Sequence, residues 1–223
     1  MTEATLLTTR ALLLDMDGTL VNSDAAVERV WRGWAAEHGV DPERAIRLGR
    51  GRQGYATMAT LLPDRPLAEN LADNRRLLAQ EVEDTEGVVP IPGAPEFLHA
   101  IAAAPHALVT SASLALAEAR MGAAGLMVPE LRITAESVGA SKPDPEGFLK
   151  AAAELGFAPA DCLVLEDSVA GVSAARAAGM PVLGIGAHLA DSAPTARVPD
   201  LTAVGVELLP GGEVRLRLAP RLG

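Results

Sequence analysis

The chain has 223 residues, of which 49% are hydrophobic, and it carries a formal net charge of −10. A chain of this length and composition can bury a sizeable core together with a smaller module, and it does not match the composition of a disordered segment. The acidic balance argues against general nucleic-acid binding or an anionic membrane surface, and no apolar run approaches the length of a membrane span. We therefore expect neither a nucleic-acid nor a membrane partner.

The N-terminus and the cysteine content give two further expectations. Residues 1–5 lack the basic and apolar regions of a secretory signal, so the predicted location is the cytoplasm. The single cysteine, Cys162, excludes an internal disulfide and a cysteine-based zinc site. Because Cys162 begins a predicted buried strand, we interpret it as a packing residue rather than a nucleophile.

The first informative stretch is residues 11–20, in which four apolar residues run into Asp15, Met16, Asp17 and Gly18. The apolar run predicts a short buried strand. Residues two apart in a strand face the same way, so Asp15 and Asp17 would share one side of its carboxyl end, where open α/β sheets bind ligands. Neighbouring carboxylates repel each other unless a cation or a shifted pKa separates their roles. A plain Asp-Gly turn is the alternative.

Residues 23–89 predict a helical block without a convincing strand. Helices are predicted from a cap at Ser23 or Asp24 to Gly39, from Pro42 onward, over 55–62 and over 67–83. Such a block is too long to be a loop inside one domain. We therefore predict a helical domain at 23–89, inserted into a core that is formed by residues 1–22 and 90–223.

Beyond residue 90, helices and strands alternate, which is typical of a parallel sheet. The predicted strands are 107–110, 132–134, 162–165 and 181–185. The predicted helices are 94–104, 114–124, 145–155 and 169–178. A last short strand is expected over 200–204, and alternation over 213–218 predicts an exposed hairpin to which we assign no function. The fold class is therefore α/β, with a Rossmann-like parallel-sheet core and an inserted helical domain.

Polar side chains follow two later strands. Ser111 and Ala112 stand between a strand and a helix N-terminus, where free amides and the helix dipole stabilise an anion. A simple N-cap at Ser113 explains this stretch equally well, and Thr110 is the neighbour that could replace Ser111. Glu166 and Asp167 end another strand, and together with Asp15 and Asp17 they form an all-oxygen set of the kind that Mg²⁺ prefers.

Lys142 is the third candidate for binding an anion. It precedes Pro143-Asp144-Pro145, and these prolines stiffen the backbone that presents its amine. A solvated surface lysine is the alternative, just as helix capping is the alternative for Asp167.

The four motifs and their order resemble those of the haloacid dehalogenase (HAD) superfamily. The matching strings are DMDGT at 15–19, VTSAS at 109–113, GASKPDPEGF at 139–148 and VLEDSVAG at 164–171. Residues 23–89 correspond in position and length to the helical cap of similar HAD proteins. The resemblance therefore implies a phosphotransferase core with an α-helical cap domain.

The resemblance also implies roles for the motif residues. Asp15 would be the nucleophile that forms an aspartyl-phosphate, and Asp17 would protonate the leaving alcohol and then activate water. Ser111, the Ala112 amide and Lys142 would hold the phosphoryl oxygens. Mg²⁺ would be held by Asp15, the backbone carbonyl of Asp17 and Asp167, with Glu166 acting through water or through the other ligands.

The cap is expected to select the substrate. The sequence around residues 27–31 and 85–94 is similar to that of HAD sugar and polyol phosphatases, which act on hexitol, deoxyhexose or glycerol phosphates. Arg52, Gln53 and Glu86 are the candidate substrate-binding residues, with plain surface arginines as the alternative. We expect a monomer that hydrolyses a small phosphorylated metabolite.

Two other functions are weighed against this one. A β-phosphoglucomutase-like mutase shares the core and the cap type, but such mutases use a cap histidine at the position that Val27 occupies here. A non-catalytic phosphosugar-binding protein would be expected to lack Asp15 or Asp17, and both are present.

Overall fold

The computed structural model describes residues 5–187, 189 and 193–219. The strands are β1 (Thr5–Thr9), β2 (Ala11–Leu14), β3 (Val21–Asn22), β4 (Val89–Pro90), β5 (His106–Val109), β6 (Leu131–Ile133), β7 (Cys162–Glu166), β8 (Val182–Ile185), β9 (Ala196–Val198), β10 (Val204–Leu208) and β11 (Val214–Leu218). The helices are α1 (Asp24–His38), α2 (Pro42–Gly49), α3 (Gly54–Leu61), α4 (Leu67–Glu83), α5 (Ala94–Ala100), α6 (Leu114–Ala123), α7 (Glu146–Leu155) and α8 (Val169–Ala177).

A parallel sheet in the order β6-β5-β2-β7-β8-β9 forms the centre of the molecule. Leu14 pairs with Leu108 on β5 and with Leu165 on β7, so these three strands end at one edge of the sheet. The expected α/β fold with a Rossmann-like parallel sheet is confirmed. The edge where β2, β5 and β7 end is also where the candidate motifs lie.

The sheet is covered on both faces, which explains why β2 is apolar at every position. Leu12 and Leu14 pack into the hydrophobic cluster that includes α5 and α6, whereas Leu13 packs into the cluster that includes α7 and α8. This alternation follows from the two-residue period of a strand. The same period sets the directions in which the side chains that follow β2 point at the edge of the sheet.

The helices α1 to α4, called the cap helices below, pack around a hydrophobic cluster of their own. Trp34, Met58 and Leu77 are at its centre, and the rings of Trp31 and Trp34 meet edge to face. The chain leaves the sheet through β3 and returns through β4, which pair antiparallel with Asn22 opposite Val89. The division into a cap at 23–89 and a core at 1–22 and 90–223 stays a prediction.

The end of the chain differs from expectation in two ways. The expected strand over 200–204 is wrong: Leu201–Ala203 is a 3₁₀ helix, because the Asp200 side chain accepts a hydrogen bond from the Thr202 amide and bends the backbone. The last strand of the parallel sheet is instead β9, which was not expected from the sequence.

The predicted hairpin is present as β10 and β11, but its expected exposure is wrong. Val214, Leu216 and Leu218 are buried, because β11 also pairs with β1 and the resulting three-stranded sheet packs one face onto the core. None of the helices in the described ranges combines the length and the apolar character that crossing a bilayer requires.

Candidate active site

Lys142 connects two carboxylates at the edge of the parallel sheet. Its Nζ lies 2.6 Å from Oδ1 of Asp15 and 2.8 Å from Oε1 of Glu166, and it also donates to the Val109 carbonyl at 3.1 Å. These three contacts use all three donors of an ammonium group. Burial alone would lower the pKa of Lys142, but the two carboxylates raise it above its ordinary value. The amine is therefore charged and fixed.

Glu166 is the last residue of β7 and is fully buried. Its Oε2 accepts hydrogen bonds from the amide and the hydroxyl of Ser168, at 2.7 and 2.9 Å. Gly171 on α8 makes this position possible, because a Cβ there would lie 1.9 Å from the Glu166 carboxyl carbon. Glu166 is thus held on one side by the start of α8 and on the other by Lys142.

Asp15, Glu166 and Asp167 form a cluster of buried carboxylates whose oxygens lie within 4.8 Å of one another. Burial, followed by repulsion from Glu166, raises the pKa of Asp15 to about 7, although Lys142 opposes the shift. The same two causes, burial and Glu166, raise the pKa of Asp167 well above its ordinary value. Three carboxylates around one lysine leave an excess of negative charge.

The cluster suits a hard divalent cation, because its donors are all oxygen and a positive charge would offset their mutual repulsion. Gly18 leaves space for the Asp167 carboxylate: the residue has φ +84°, and a Cβ there would overlap Oδ2 of Asp167 at 2.0 Å. The backbone of the Asp-Gly turn therefore approaches Asp167 more closely than any other residue type would allow.

Asp17 lies on the other side of this turn and is held through both of its oxygens. Oδ1 accepts a hydrogen bond from the Ser23 hydroxyl at 2.6 Å, and Oδ2 accepts one from Nη1 of Arg120 at 2.8 Å. Nη2 of Arg120 donates to Oε2 of Glu81 on α4 at 3.1 Å. The parallel sheet and the cap helices thus meet at Asp17 through one arginine.

Arg120 and Glu81 were not among the site residues expected from the sequence. Arg120 occupies a position on α6 that is buried together with Leu116, Ala117 and Met121, and only 4% of it is exposed. The available signal was a charged residue at helical spacing from apolar ones, three positions after Ala117 and four after Leu116.

A cavity of about 310 Å³ lies between this edge of the sheet and the cap helices. Its lining includes Asp15, Asp17, Ser23, Val27, Trp31, Arg50, Arg52, Gln53, Tyr55, Asn74, Glu81, Ser111, Ala112, Arg120 and Asp167. The candidate nucleophile, the candidate acid and one candidate metal ligand therefore open onto one space.

The remaining candidates are the predicted phosphate-binding and substrate-binding residues, and they differ in whether they line the cavity. Ser111 lines the cavity and its hydroxyl donates to the Gly51 carbonyl at 3.1 Å, so it already contacts the cap. The Ala112 amide donates to Oγ1 of Thr110 at 3.0 Å. Arg52 and Gln53 line the cavity, whereas Glu86 is not among its lining residues: its side chain is exposed and its carbonyl accepts a hydrogen bond from Arg29.

Comparison with known families decides the class of the protein. Residues 9–179 match the family model described as haloacid dehalogenase-like hydrolase. The chain belongs to this family. The match spans the four motifs, the cap helices and the sheet from β2 to the end of α8, so the resemblance seen in the sequence is confirmed.

Two curated relatives of this HAD-like hydrolase are phosphatases. Hexitol phosphatase A of Escherichia coli K12 is 41% identical over 180 residues, which cover 80% of this chain and 83% of the relative. The 2-deoxyglucose-6-phosphate phosphatase 2 of Saccharomyces cerevisiae is 29% identical over 222 residues, covering 87% and 89%. The expectation that the HAD-like hydrolase is a phosphatase is confirmed at this level.

The solved structures confirm the fold of the HAD-like hydrolase. A β-phosphoglucomutase from Clostridium difficile superimposes with a TM-score of 0.77 over 86% of this chain and 92% of its own. Its sequence identity is 19%, so the likeness concerns the fold alone.

Proposed function

We propose that the protein is a Mg²⁺-dependent phosphatase that hydrolyses small sugar or polyol phosphate monoesters through an aspartyl-phosphate on Asp15. The observation that carries the proposal is that Asp15, Asp17 and Asp167 line one cavity while the buried Lys142 contacts Asp15 from behind it. A nucleophile, a fixed positive charge, a candidate cation ligand and a proton donor are the groups that this reaction requires.

In the first step a carboxylate oxygen of Asp15 attacks phosphorus and the bond from phosphorus to the ester oxygen breaks. Asp17 transfers a proton to the departing alkoxide, which leaves as a neutral alcohol. Lys142 keeps its positive charge beside Asp15, which orients the nucleophile and offsets the charge of the phosphoryl oxygens.

In the second step water attacks the phosphorus of the aspartyl-phosphate, and Asp17 takes up its proton. Inorganic phosphate departs and Asp15 is restored as a carboxylate. Asp17 thus serves first as an acid and then as a base. The first step leaves it unprotonated, as the second step requires, and the second step restores its proton.

Mg²⁺ would be held by Asp15, Asp167 and the carbonyl of Asp17, with Glu166 supporting the set, and it would supply Lewis-acid stabilisation of the phosphoryl oxygens. The excess of carboxylates over lysine supports this assignment. Ser111 is proposed to bind a phosphoryl oxygen because it lines the cavity beside Asp15. The Ala112 amide can join it only if it gives up Oγ1 of Thr110.

The cavity supports a small polyhydroxylated substrate. Arg52, Gln53 and Asn74 offer donors and acceptors for hydroxyl groups, and Trp31 and Tyr55 offer apolar surface. The two phosphatase relatives are named for a hexitol and a deoxyglucose phosphate, which is the same substrate class. Arg52 and Gln53 are accordingly the proposed specificity residues, and Glu86 would need to move to reach the cavity.

The mutase alternative receives less support from the cavity. Val27, the position at which the related mutases carry a histidine, lines the cavity, and no histidine of the described residues does so. Val27 has no group that could transfer a proton to or from a sugar hydroxyl.

The test is phosphate release with Mg²⁺ from hexitol, hexose, glycerol and nucleotide monophosphates, with Asp15→Asn as the control. Release from a few sugar or polyol phosphates that the control abolishes is the expected outcome. Interconversion of hexose 1- and 6-phosphates primed by a bisphosphate, with little release, would replace the phosphatase by a mutase. The cytoplasmic location and the monomeric state stay predictions, and size-exclusion chromatography tests the second.

A further inference from the structure

Arg120 links the candidate acid–base residue to the cap. It lies on α6, is 4% exposed, and donates from Nη1 to Asp17 at 2.8 Å and from Nη2 to Glu81 on α4 at 3.1 Å. Glu81 is itself 7% exposed. We propose that Arg120 is a positioning residue for proton transfer by Asp17, and that Glu81 of the cap holds Arg120 in place for this purpose. The inference rests on the proposed function, because it assigns Asp17 a proton to transfer.

Stability does not account for this arrangement. Burying charged groups costs solvation free energy, and a buried ion pair is often no more stable than apolar side chains of the same size. Arg120 adds a second cost, because its buried Nε has no hydrogen-bond partner within the described part of the chain. The neighbours Leu116 and Met121 show that this face of α6 packs apolar side chains well. This cost supports a role for Arg120 in holding Asp17, which lines the cavity.

The two contacts of Asp17 differ in what they allow. A guanidinium only donates hydrogen bonds, whereas a serine hydroxyl can rotate to donate or to accept. Oδ2 of Asp17 accepts from Arg120, which can only donate, so a proton that this carboxyl group transfers must leave from Oδ1, where the Ser23 hydroxyl can rotate to accept. Arg120 thereby fixes both the direction of the carboxyl group and the oxygen that carries the proton. That proton passes to the ester oxygen as its bond to phosphorus breaks and the bond from Asp15 forms.

The contact with Glu81 makes this alignment depend on the cap. Glu81 lies on α4 and lines the same cavity as Asp17, so a displacement of α4 from the sheet would remove one of the two anions that hold Arg120. Proton transfer is accordingly most efficient when the cap helices cover the site.

The test compares two esters that differ in their need for a proton. The alkoxide of 2-deoxyglucose 6-phosphate must be protonated to leave, whereas p-nitrophenolate leaves without help. The rate constant kcat/KM is measured from the alcohol released in a single turnover, so that later hydrolysis of the aspartyl-phosphate does not enter. The ratio of the two constants is independent of the fraction of folded enzyme in a preparation.

We expect Arg120→Gln to lower kcat/KM for the sugar ester by about 10- to 100-fold and for the aryl ester by less than about threefold, since complete loss of an acid costs about 10²–10⁴-fold. Glu81→Gln, which keeps the arginine, should change the ratio in the same direction by a smaller factor. If Arg120→Gln does not fold, the ratio measured for Glu81→Gln tests the positioning role on its own. In an Asp17→Asn background, Arg120→Gln should have no further effect on the ratio.

Arg65→Gln is the matched control, because Arg65 also pairs with a partly buried carboxylate of α4, Asp73, but does not line the cavity. It should leave the ratio unchanged. Equal losses on both esters in Arg120→Gln and Glu81→Gln, or an undiminished effect in the Asp17→Asn background, would overturn the inference and leave the phosphatase function intact. A wild-type enzyme that releases alcohol from neither ester would overturn both.

Discussion

Two groups of charged side chains in this molecule differ in their ratio of carboxylates to hydrogen-bond donors. At the end of β2, the carboxylates of Asp15, Glu166 and Asp167 lie together, and one lysine contacts the first two. Within the cap helices the ratio is reversed: Asp73 receives Nε1 of Trp34 at 2.9 Å and Arg65 at 2.8 Å, and His38 and Arg76 also lie within 3.5 Å. Burial raises the pKa of Asp15 to about 7. Burial would also raise the pKa of Asp73, but Trp34 and Arg65 lower it below its ordinary value.

The difference indicates that the group around Asp73 has a structural role and that the group around Lys142 has a chemical one. A carboxylate surrounded by donors is satisfied and joins α4 to its neighbours, so Asp73 stabilises the cap. Carboxylates that outnumber their donors cost free energy in the folded state, and they are retained where a cation or a substrate can use them. Three experiments test this contrast.

Exchanging one carboxylate in each group should have opposite effects. We expect Asp15→Asn to abolish phosphate release, because an amide cannot form the aspartyl-phosphate, and to preserve or raise the melting temperature measured without Mg²⁺. Asp73→Asn should retain most of the activity and lose about 1–3 kcal/mol of unfolding free energy, or about 2–4 °C per kcal/mol. Calorimetry and the phosphate assay check both variants. A stable, fully active Asp73→Asn beside an unstable Asp15→Asn would contradict the contrast.

Mg²⁺ should stabilise only the group with excess negative charge. At about 100 times its dissociation constant, a ligand bound only by the folded state adds about 3 kcal/mol. We expect Mg²⁺ to raise the melting temperature of the wild type and of Asp73→Asn alike, and to have little effect on Asp167→Asn. Thermal scans with and without Mg²⁺ measure this, and an equal shift in Asp167→Asn would exclude Asp167 as a ligand.

The third experiment concerns Glu81 on α4, which pairs with Arg120. Burial raises its pKa to about 7, with Arg120 lowering and Asp17 raising it. Because this value lies above the ordinary 4.5, the stabilising contribution is present below about pH 4.5 and is lost as the pH rises through about 7. The unfolding free energy of the wild type relative to Glu81→Gln should therefore fall by about 1–3 kcal/mol over that range. Urea titrations at several pH values check it, and parallel pH profiles would contradict it.

The parts that could be predicted from the sequence depend on local signals. An apolar run followed by Asp15 and Asp17 specifies both a buried strand and its polar end, and the parallel sheet then gathers these ends at one edge. The proximity of Lys142 to Asp15, across 127 positions of the chain, was implied by family resemblance and not by local pattern.

Other contacts join residues that are far apart in the chain, and no local sequence pattern predicts them. Arg120 is 103 positions from Asp17 and 39 from Glu81, so its partners depend on how α6 docks against the turn and the cap. The burial of β11 depends on pairing with β1 at the other end of the described chain. Glu86 was chosen from sequence similarity, whereas in the structure Arg29 contacts Asp84 and the Glu86 carbonyl and the Glu86 side chain does not line the cavity.

The short pairing of β3 with β4 has a consequence for how this protein can change. Asn22 and Val89 are neighbours across that pair, so all the residues between them leave and re-enter the sheet at one point. A turn of a few residues could bridge the gap without altering the order of the parallel strands. The carboxylates and Lys142 would stay in place, whereas Glu81 and the connection between α2 and α3 at residues 50–53 would be lost. The segment that covers the site can thus be exchanged or lengthened independently, and one set of reacting groups can serve many substrates.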